Sequence, residues 1–183
     1  MNIILASNSP RRKELLKSIG VNFTVIPSNY EEPKITLPPE EYAVFLAFNK
    51  ANSVFSTHGG IVLGADTIVV YNDMILGKPK DEFDAVNTLK LLSGKTHKVI
   101  TGYAIISNNK IIKDYCVTKV TFNELSNQTI NAYVKTKSPL DKAGAYGIQD
   151  GFDLVKEING DYDNVVGLPT KDIENHLRSF YET

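Results

Sequence analysis

Two stretches of the chain set charge where charge is otherwise costly. The first is Ser7-Asn8-Ser9-Pro10-Arg11-Arg12. Ser9 is of the type that caps a helix and Pro10 of the type that fills the first helical position, so a helix is expected to start here. Arg11 and Arg12 then fall in the first turn, where unpaired N–H groups and the helix dipole are already positive. Each such cation costs on the order of 0.3–1 kcal/mol at an exposed end, and an anion bound at the same terminus removes that cost. The hydroxyls of Ser7 and Ser9 favour an anion; the plainer alternative is a pair of solvated arginines. The second stretch is Gly64-Ala65-Asp66-Thr67, inside the apolar run 61–70. Alternation with period two puts Asp66 on one face with Val62, Ile68 and Val70, where an unpaired carboxylate is expensive. Its partner is a metal ion, a lysine or a water to be activated, unless it serves only a structural ion pair.

Other candidates carry less weight alone. Lys50 shares a helical face with Leu46, Ala47 and Val54, from which its head group can either reach a site or snorkel into water. Lys78 lies in the tight loop Gly77-Lys78-Pro79. Glu31 and Glu32 are loop acids able to offer hard oxygens to Mg²⁺, or simply solvated. In the stretch from Asp141 to Gln149, small residues surround Tyr146, so a flat ligand could approach the backbone and Gln149 could read a base; a turn around a buried Tyr146 explains the glycines almost as well. His58, His97 and His176 are scattered without zinc-ligand spacing, and neither Gly-x-x-x-x-Gly-Lys-Ser/Thr nor Gly-x-Gly-x-x-Gly is present. Phosphate must be held in another way.

The elements that position these residues alternate as in a layered α/β protein. Strands are expected near 2–6, 22–26, 61–71, 96–107, 111–123 and 152–158, and helices at 10–19, 39–56, 81–92, 126–135 and 169–181. Asn72-Asp73 reads as a hairpin turn, which makes the sheet mixed. Pro33 to Pro39 punctuate a loop before the second helix. A length of 183 residues, 42% of them hydrophobic and 22% charged, suits one folding unit, taken as a single domain over 1–183. The net charge of -1 excludes a broad basic surface for nucleic acid, so an anion site must be local. Cys116 is the only cysteine and reads as structural in a reduced compartment. With no secretory leader and no apolar run of about 18 residues, the expectation is a cytoplasmic chain without a membrane partner.

Taken together, Ser7 to Leu16, Gly64 to Thr67, Gly77-Lys78-Pro79, Leu92 to His97, Asp141 to Gln149 and Val166-Gly167-Leu168-Pro169 resemble the Maf family, in its order and approximate spacing across nearly the whole chain. The resemblance implies an elongated α/β fold related to the inosine triphosphate pyrophosphatases, with two lobes, a central cleft and a homodimer. It implies hydrolysis of a nucleoside triphosphate to the monophosphate and pyrophosphate with Mg²⁺ or Mn²⁺, here in the dTTP/UTP branch. Asp66 matches the proton acceptor; Arg11, Thr67 and Gln149 match positions of base selection. Ser7, Arg12, Glu31, Lys50 and Lys78 match positions that hold phosphate or metal, with Asp66 and Glu31 as the metal carboxylates. The branch that prefers 7-methyl-GTP differs at Asp66-Thr67 and in the Gly-Ile-Gln block. Asp150 stands where a glycine is usual, and the loop through Gly151 is one residue short. The rival expectations are a purine-directed pyrophosphatase and a nucleotide-binding regulator of cell division.

Overall fold

The computed structural model describes residues 2–181, with side chains as far as Phe180. The chain order is β1 (Ile3–Leu5), α1 (Pro10–Ser18), β2 (Phe23–Val25), α2 (Pro39–His58), β3 (Val62–Tyr71), β4 (Met74–Leu76), α3 (Glu82–Leu92), β5 (Thr96–Ile106), β6 (Ile111–Phe122), α4 (Asn127–Lys135), β7 (Val155–Asn159), α5 (Tyr162–Val166) and α6 (Thr170–Tyr181), with two short 3₁₀ turns at Ser138–Asp141 and Ala143–Ala145. Seven strands form a mixed sheet in the order β2-β1-β3-β5-β6-β7, with β4 on β3. β1 runs parallel to β2 and β3, whereas β3–β4 and β6–β7 are antiparallel. Asn72 and Asp73 both take positive φ, 47° and 60°, as the hairpin turn between β3 and β4 requires. The strand expected at 152–158 forms later, at Val155–Asn159, because residues 151–153 bend before pairing with β6 begins. Helix α5 and the 3₁₀ turns were not expected; at five residues or fewer they are too short to show a periodic apolar stripe. Among the described residues no helix is long and apolar enough to cross a membrane.

Contacts divide the chain into two compact units. One comprises the chain up to Thr67, Thr101–Cys116 and the chain from Gly167 onward. Alternation along β1 and β3 splits its interior into two layers. Ile3, Leu5, Leu63 and Ala65 pack with Leu16 of α1 and Ile173 and Leu177 of α6. On the other face Ala6 and Val62 pack with Ala51 and Val54 of α2. The second unit comprises Ile68–Ile100 and Val117–Val166. Its core joins Val69, Val99, Val120 and Phe122 of the strands to Leu89 and Leu92 of α3 and Ile130, Tyr133 and Val134 of α4. His97 is buried there between Phe122 and Tyr146 and shares a hydrogen bond of 2.7 Å with the Tyr146 hydroxyl; burial lowers its pKa to about 4, so it is neutral near pH 7.

Helix α2 lies against the sheet at backbone contact distance, and two glycines allow it. A Cβ on Gly64 would stand 2.7 Å from the Ala51 nitrogen and nearer still to the Ala47 carbonyl oxygen; one on Gly102 would overlap the backbone at Ala43. Main-chain atoms cannot swing aside, so these glycines fix how deeply α2 sits, and with it the position of Lys50 beside Ala51. Gly64→Ala should lower the free energy of unfolding by about 1–3 kcal/mol in urea titrations, by forced overpacking. Gly77→Ala, where a Cβ meets open space, should stay within about 0.5 kcal/mol of the parent.

Candidate active site

The site begins where β1 stops. Its register with β3 pairs Leu5 with Leu63, and the Ala6 N–H donates to the Leu63 carbonyl at 2.8 Å. The chain then leaves the sheet through Ser7, Asn8 and Ser9 into α1, while β3 continues to Asp66 and Thr67. In parallel α/β sheets ligands collect at such points, where strand carboxyl ends meet a helix N-terminus.

The helix start is built as its residues demand. Ser9 Oγ accepts from the Arg12 N–H at 3.4 Å, and Pro10 occupies the first turn. Ser7 Oγ accepts from the Ser9 N–H at 3.2 Å and from Arg12 Nη1 at 3.3 Å. Arg12 folds back over this turn: Nε donates to Gly167 O at 2.8 Å and Nη2 to Thr67 Oγ1 at 3.0 Å. Thr67 Oγ1 also lies 2.9 Å from Thr101 Oγ1. A guanidinium has five N–H donors, so three bonds to protein leave Arg12 two for a ligand. Burial lowers the Arg12 pKa, with the Asp66 charge opposing, but a guanidinium remains a cation throughout. Arg11 is half-buried beside it.

Successive strand residues face opposite ways, so Thr67 meets α1 while Asp66 turns toward α2. Asp66 Oδ1 accepts from Lys50 Nζ at 2.5 Å, and the same ammonium donates to Glu32 Oε1 at 2.7 Å. The Lys50 and Asp66 side chains are only 20% and 13% exposed. Burial pushes the Asp66 carboxyl up from its ordinary range, against the pull of Lys50 and Arg12. For Lys50 the balance falls the other way. Desolvation would lower it, but Asp66 and Glu32 together hold it above its usual value. Asp66 is thus held directly by Lys50, with the charge of Arg12 also drawing on it. The loop acid bonded to Lys50 is Glu32, while Glu31, the expected choice, is its exposed neighbour. These residues belong to an irregular loop without a repeating face, so their order along the chain carried no signal for which one points inward. Asp66 and Glu32 supply hard oxygens that fit Mg²⁺ or Mn²⁺, and among the described residues no group of three or more His, Cys, Asp or Glu side chains could hold a metal. A hard divalent ion would take its remaining ligands from water and substrate, as Mg²⁺ does.

Thr101 and Tyr42 escaped the sequence reading, and Gly167 stood there only within a family block with no role. Gly167 supplies the carbonyl under Arg12, and Thr101 the hydroxyl behind Thr67. Tyr42 precedes Lys50 by two turns of α2; its hydroxyl is pushed up by burial and then by the charges of Glu32 and Asp66. The shared helical face of residues 42, 46 and 50 was the available clue. Lys78 and Gln149 belong to the second unit, where both are exposed. The loop of Lys78 is tied to the small-residue stretch by the Gly144 N–H, which donates to Gly77 O at 3.2 Å.

A helix start whose Arg12 keeps donors free, next to a largely buried carboxylate paired with a lysine, suits an α/β protein that acts on an anionic, phosphate-bearing substrate. The chain belongs to the family of Maf-like proteins, whose model matches residues 2–180. It is 53% identical over 186 aligned positions to a dTTP/UTP pyrophosphatase of Alkaliphilus oremlandii, covering 98% of this chain and 96% of that one. It is 51% identical over 180 positions to a dTTP/UTP pyrophosphatase of Bacillus cytotoxicus, covering 97% and 94%. Among solved structures, Ham1 proteins of Staphylococcus aureus and Coxiella burnetii align with TM-scores of 0.47 and 0.46 at 12% and 16% identity, over 68% and 72% of this chain and 73% and 90% of theirs. These scores are too low to bear on the fold or its use.

Removing the ammonium from the buried pair should be costly. Lys50→Met is expected to lower stability at neutral pH by about 3–5 kcal/mol in urea unfolding, because Asp66 is left buried without its counter-charge. Adding Asp66→Asn to it should recover much of the loss; equal midpoints for the single and double variants would show that the pair is not coupled.

Proposed function

We propose that this chain is a nucleoside triphosphate pyrophosphatase that hydrolyses dTTP and UTP to the monophosphate and pyrophosphate. The observation that carries the reading is the buried Asp66 carboxylate held by Lys50 at 2.5 Å, beside a helix start where Arg12 keeps two donors for an anion. The family and the names of its relatives agree with it.

In this reading Arg11, Arg12, Ser7, Ser9 and the α1 N-terminus receive the phosphate chain. Asp66 orients a water and takes its proton as the water oxygen bonds to phosphorus. The anhydride bond between the α and β phosphates breaks, and pyrophosphate leaves with the electron pair. Lys50 offsets the charge that grows on the phosphate oxygens. Thr67 holds the Arg12 guanidinium. A Mg²⁺ or Mn²⁺ ion on Asp66 and Glu32 would neutralise phosphate charge and lower the pKa of the water. The reading extends to a homodimer, as the family resemblance implies, and to the cytoplasm.

With Mg²⁺ present, dTTP and UTP should yield monophosphate and pyrophosphate in equal amounts. Asp66→Asn should reduce kcat by at least about 10²-fold, the contribution expected of a positioned base, while thermal unfolding shows an intact fold. Release of orthophosphate in place of pyrophosphate, a marked preference for ITP, or undiminished turnover in the variant would refute the assignment.

A further inference from the structure

The sheet face that packs on α1 is apolar until it nears the start of that helix. There β3 carries Leu63 and Ala65 and then Thr67, while its neighbour β5 carries Ile105 and Tyr103 and then Thr101. Thr101 is wholly buried, at 0% exposure, where a valine of the same shape would leave no hydroxyl to satisfy. Its Oγ1 lies 2.9 Å from Thr67 Oγ1. A guanidinium can only donate, so Thr67 Oγ1 accepts from Arg12 Nη2 at 3.0 Å, and its own hydroxyl donates to Gly167 O at 3.4 Å. Gly167 O also receives Arg12 Nε at 2.8 Å. Arg12, Thr67 and Gly167 therefore close a ring of hydrogen bonds, and Thr101 stands behind it, its hydroxyl donating to the second lone pair of Thr67 Oγ1. Ser7 and Thr67 each take one N–H from the terminal nitrogens of Arg12, which leaves one unused N–H on Nη1 and one on Nη2. Ser7, Arg12, Thr67, Thr101 and Gly167 all belong to the same compact unit.

We propose that Thr101 is a positioning residue for the phosphate site: by holding the Thr67 hydroxyl it fixes the Arg12 guanidinium, so that the two unused N–H groups are already set when a polyphosphate arrives. The proposal rests on the reading that the α1 N-terminus and Arg12 receive the phosphate chain. An arginine free to turn about its side-chain bonds must be ordered at each binding event, and that ordering subtracts from affinity. A guanidinium fixed beforehand avoids the loss. Thr101 gives the Thr67 oxygen a contact of 2.9 Å, tighter than the 3.4 Å to Gly167 O, so it is the stronger hold on the atom that Arg12 grips. The consequence is specific: without the Thr101 hydroxyl phosphate binding weakens, and it does so only while residue 12 is the arginine being held.

The test titrates inorganic tripolyphosphate, which carries the phosphates without a base, into the parent chain and its variants by calorimetry. The variants are Thr101→Val, Thr101→Ser, Arg12→Lys and the double variant Thr101→Val with Arg12→Lys. Thr101→Val should raise the dissociation constant about tenfold, as expected for lost preorganisation. Thr101→Ser keeps the hydroxyl and should stay within about twofold of the parent. Arg12→Lys should weaken binding by about tenfold or more, because an ammonium lacks the fork of donors. In that background Thr101→Val should add less than about twofold, since the group it positions is gone. A purely structural role would weaken binding alike in both backgrounds, and that outcome overturns the proposal. Unchanged affinity in Thr101→Val, or an equal loss in Thr101→Ser, overturns it too. Thr101→Ala reads the same link if the valine variant does not fold. A parent chain that binds no tripolyphosphate, or binds it equally well after Arg12→Lys, overturns the phosphate reading of the α1 N-terminus itself, and this proposal with it.

Discussion

A carboxylate held in a largely dry place by one ammonium is the constraint on which the rest of the site depends. Asp66 would be costly where it sits without Lys50, and Lys50 would be costly on the inner side of α2 without Asp66 and Glu32. Neither charge is there for stability alone, since apolar residues of similar size could fill the same space at little or no loss. On the proposed reading the pair is a proton acceptor kept in place for a polyphosphate substrate.

Everything around the pair serves to place it. Gly64 and Gly102 let α2 approach the sheet backbone closely enough for Lys50 to reach Asp66. The early end of β1 exposes the edge of β3 at the level where α1 begins. Arg12 then joins the Ser7 turn, Thr67 and Gly167, three points far apart along the chain, through one planar group. Lysine could not replace it: a single ammonium lacks the fixed fork of donors that spans these acceptors while leaving others for a ligand.

The parts legible in the sequence were those whose local chemistry was out of place. A charge inside the apolar run of β3 and two cations in a helix first turn stand out because elementary physics disfavours them. The strands and long helices were legible through their period. What stayed hidden depended on depth and direction. Lys50 could as well have snorkelled, because only the contact of α2 with Gly64 decides where its head group lies. Glu31 and Glu32 could not be ranked, since an irregular loop has no repeating face. Asp150 stood out as a departure from the glycine usual in the family, but the bond it accepts from the Tyr133 hydroxyl did not, because Tyr133 reads as one more core aromatic and lies 17 residues away.

The most direct measurement is a crystal structure of the Asp66→Asn variant with dTTP and Mg²⁺ bound. The account predicts the phosphate chain on the α1 N-terminus and the Arg12 guanidinium, with the α-phosphorus next to residue 66 and a water between them. Phosphates seated elsewhere, with Arg12 still bonded only to Ser7, Thr67 and Gly167, would contradict it.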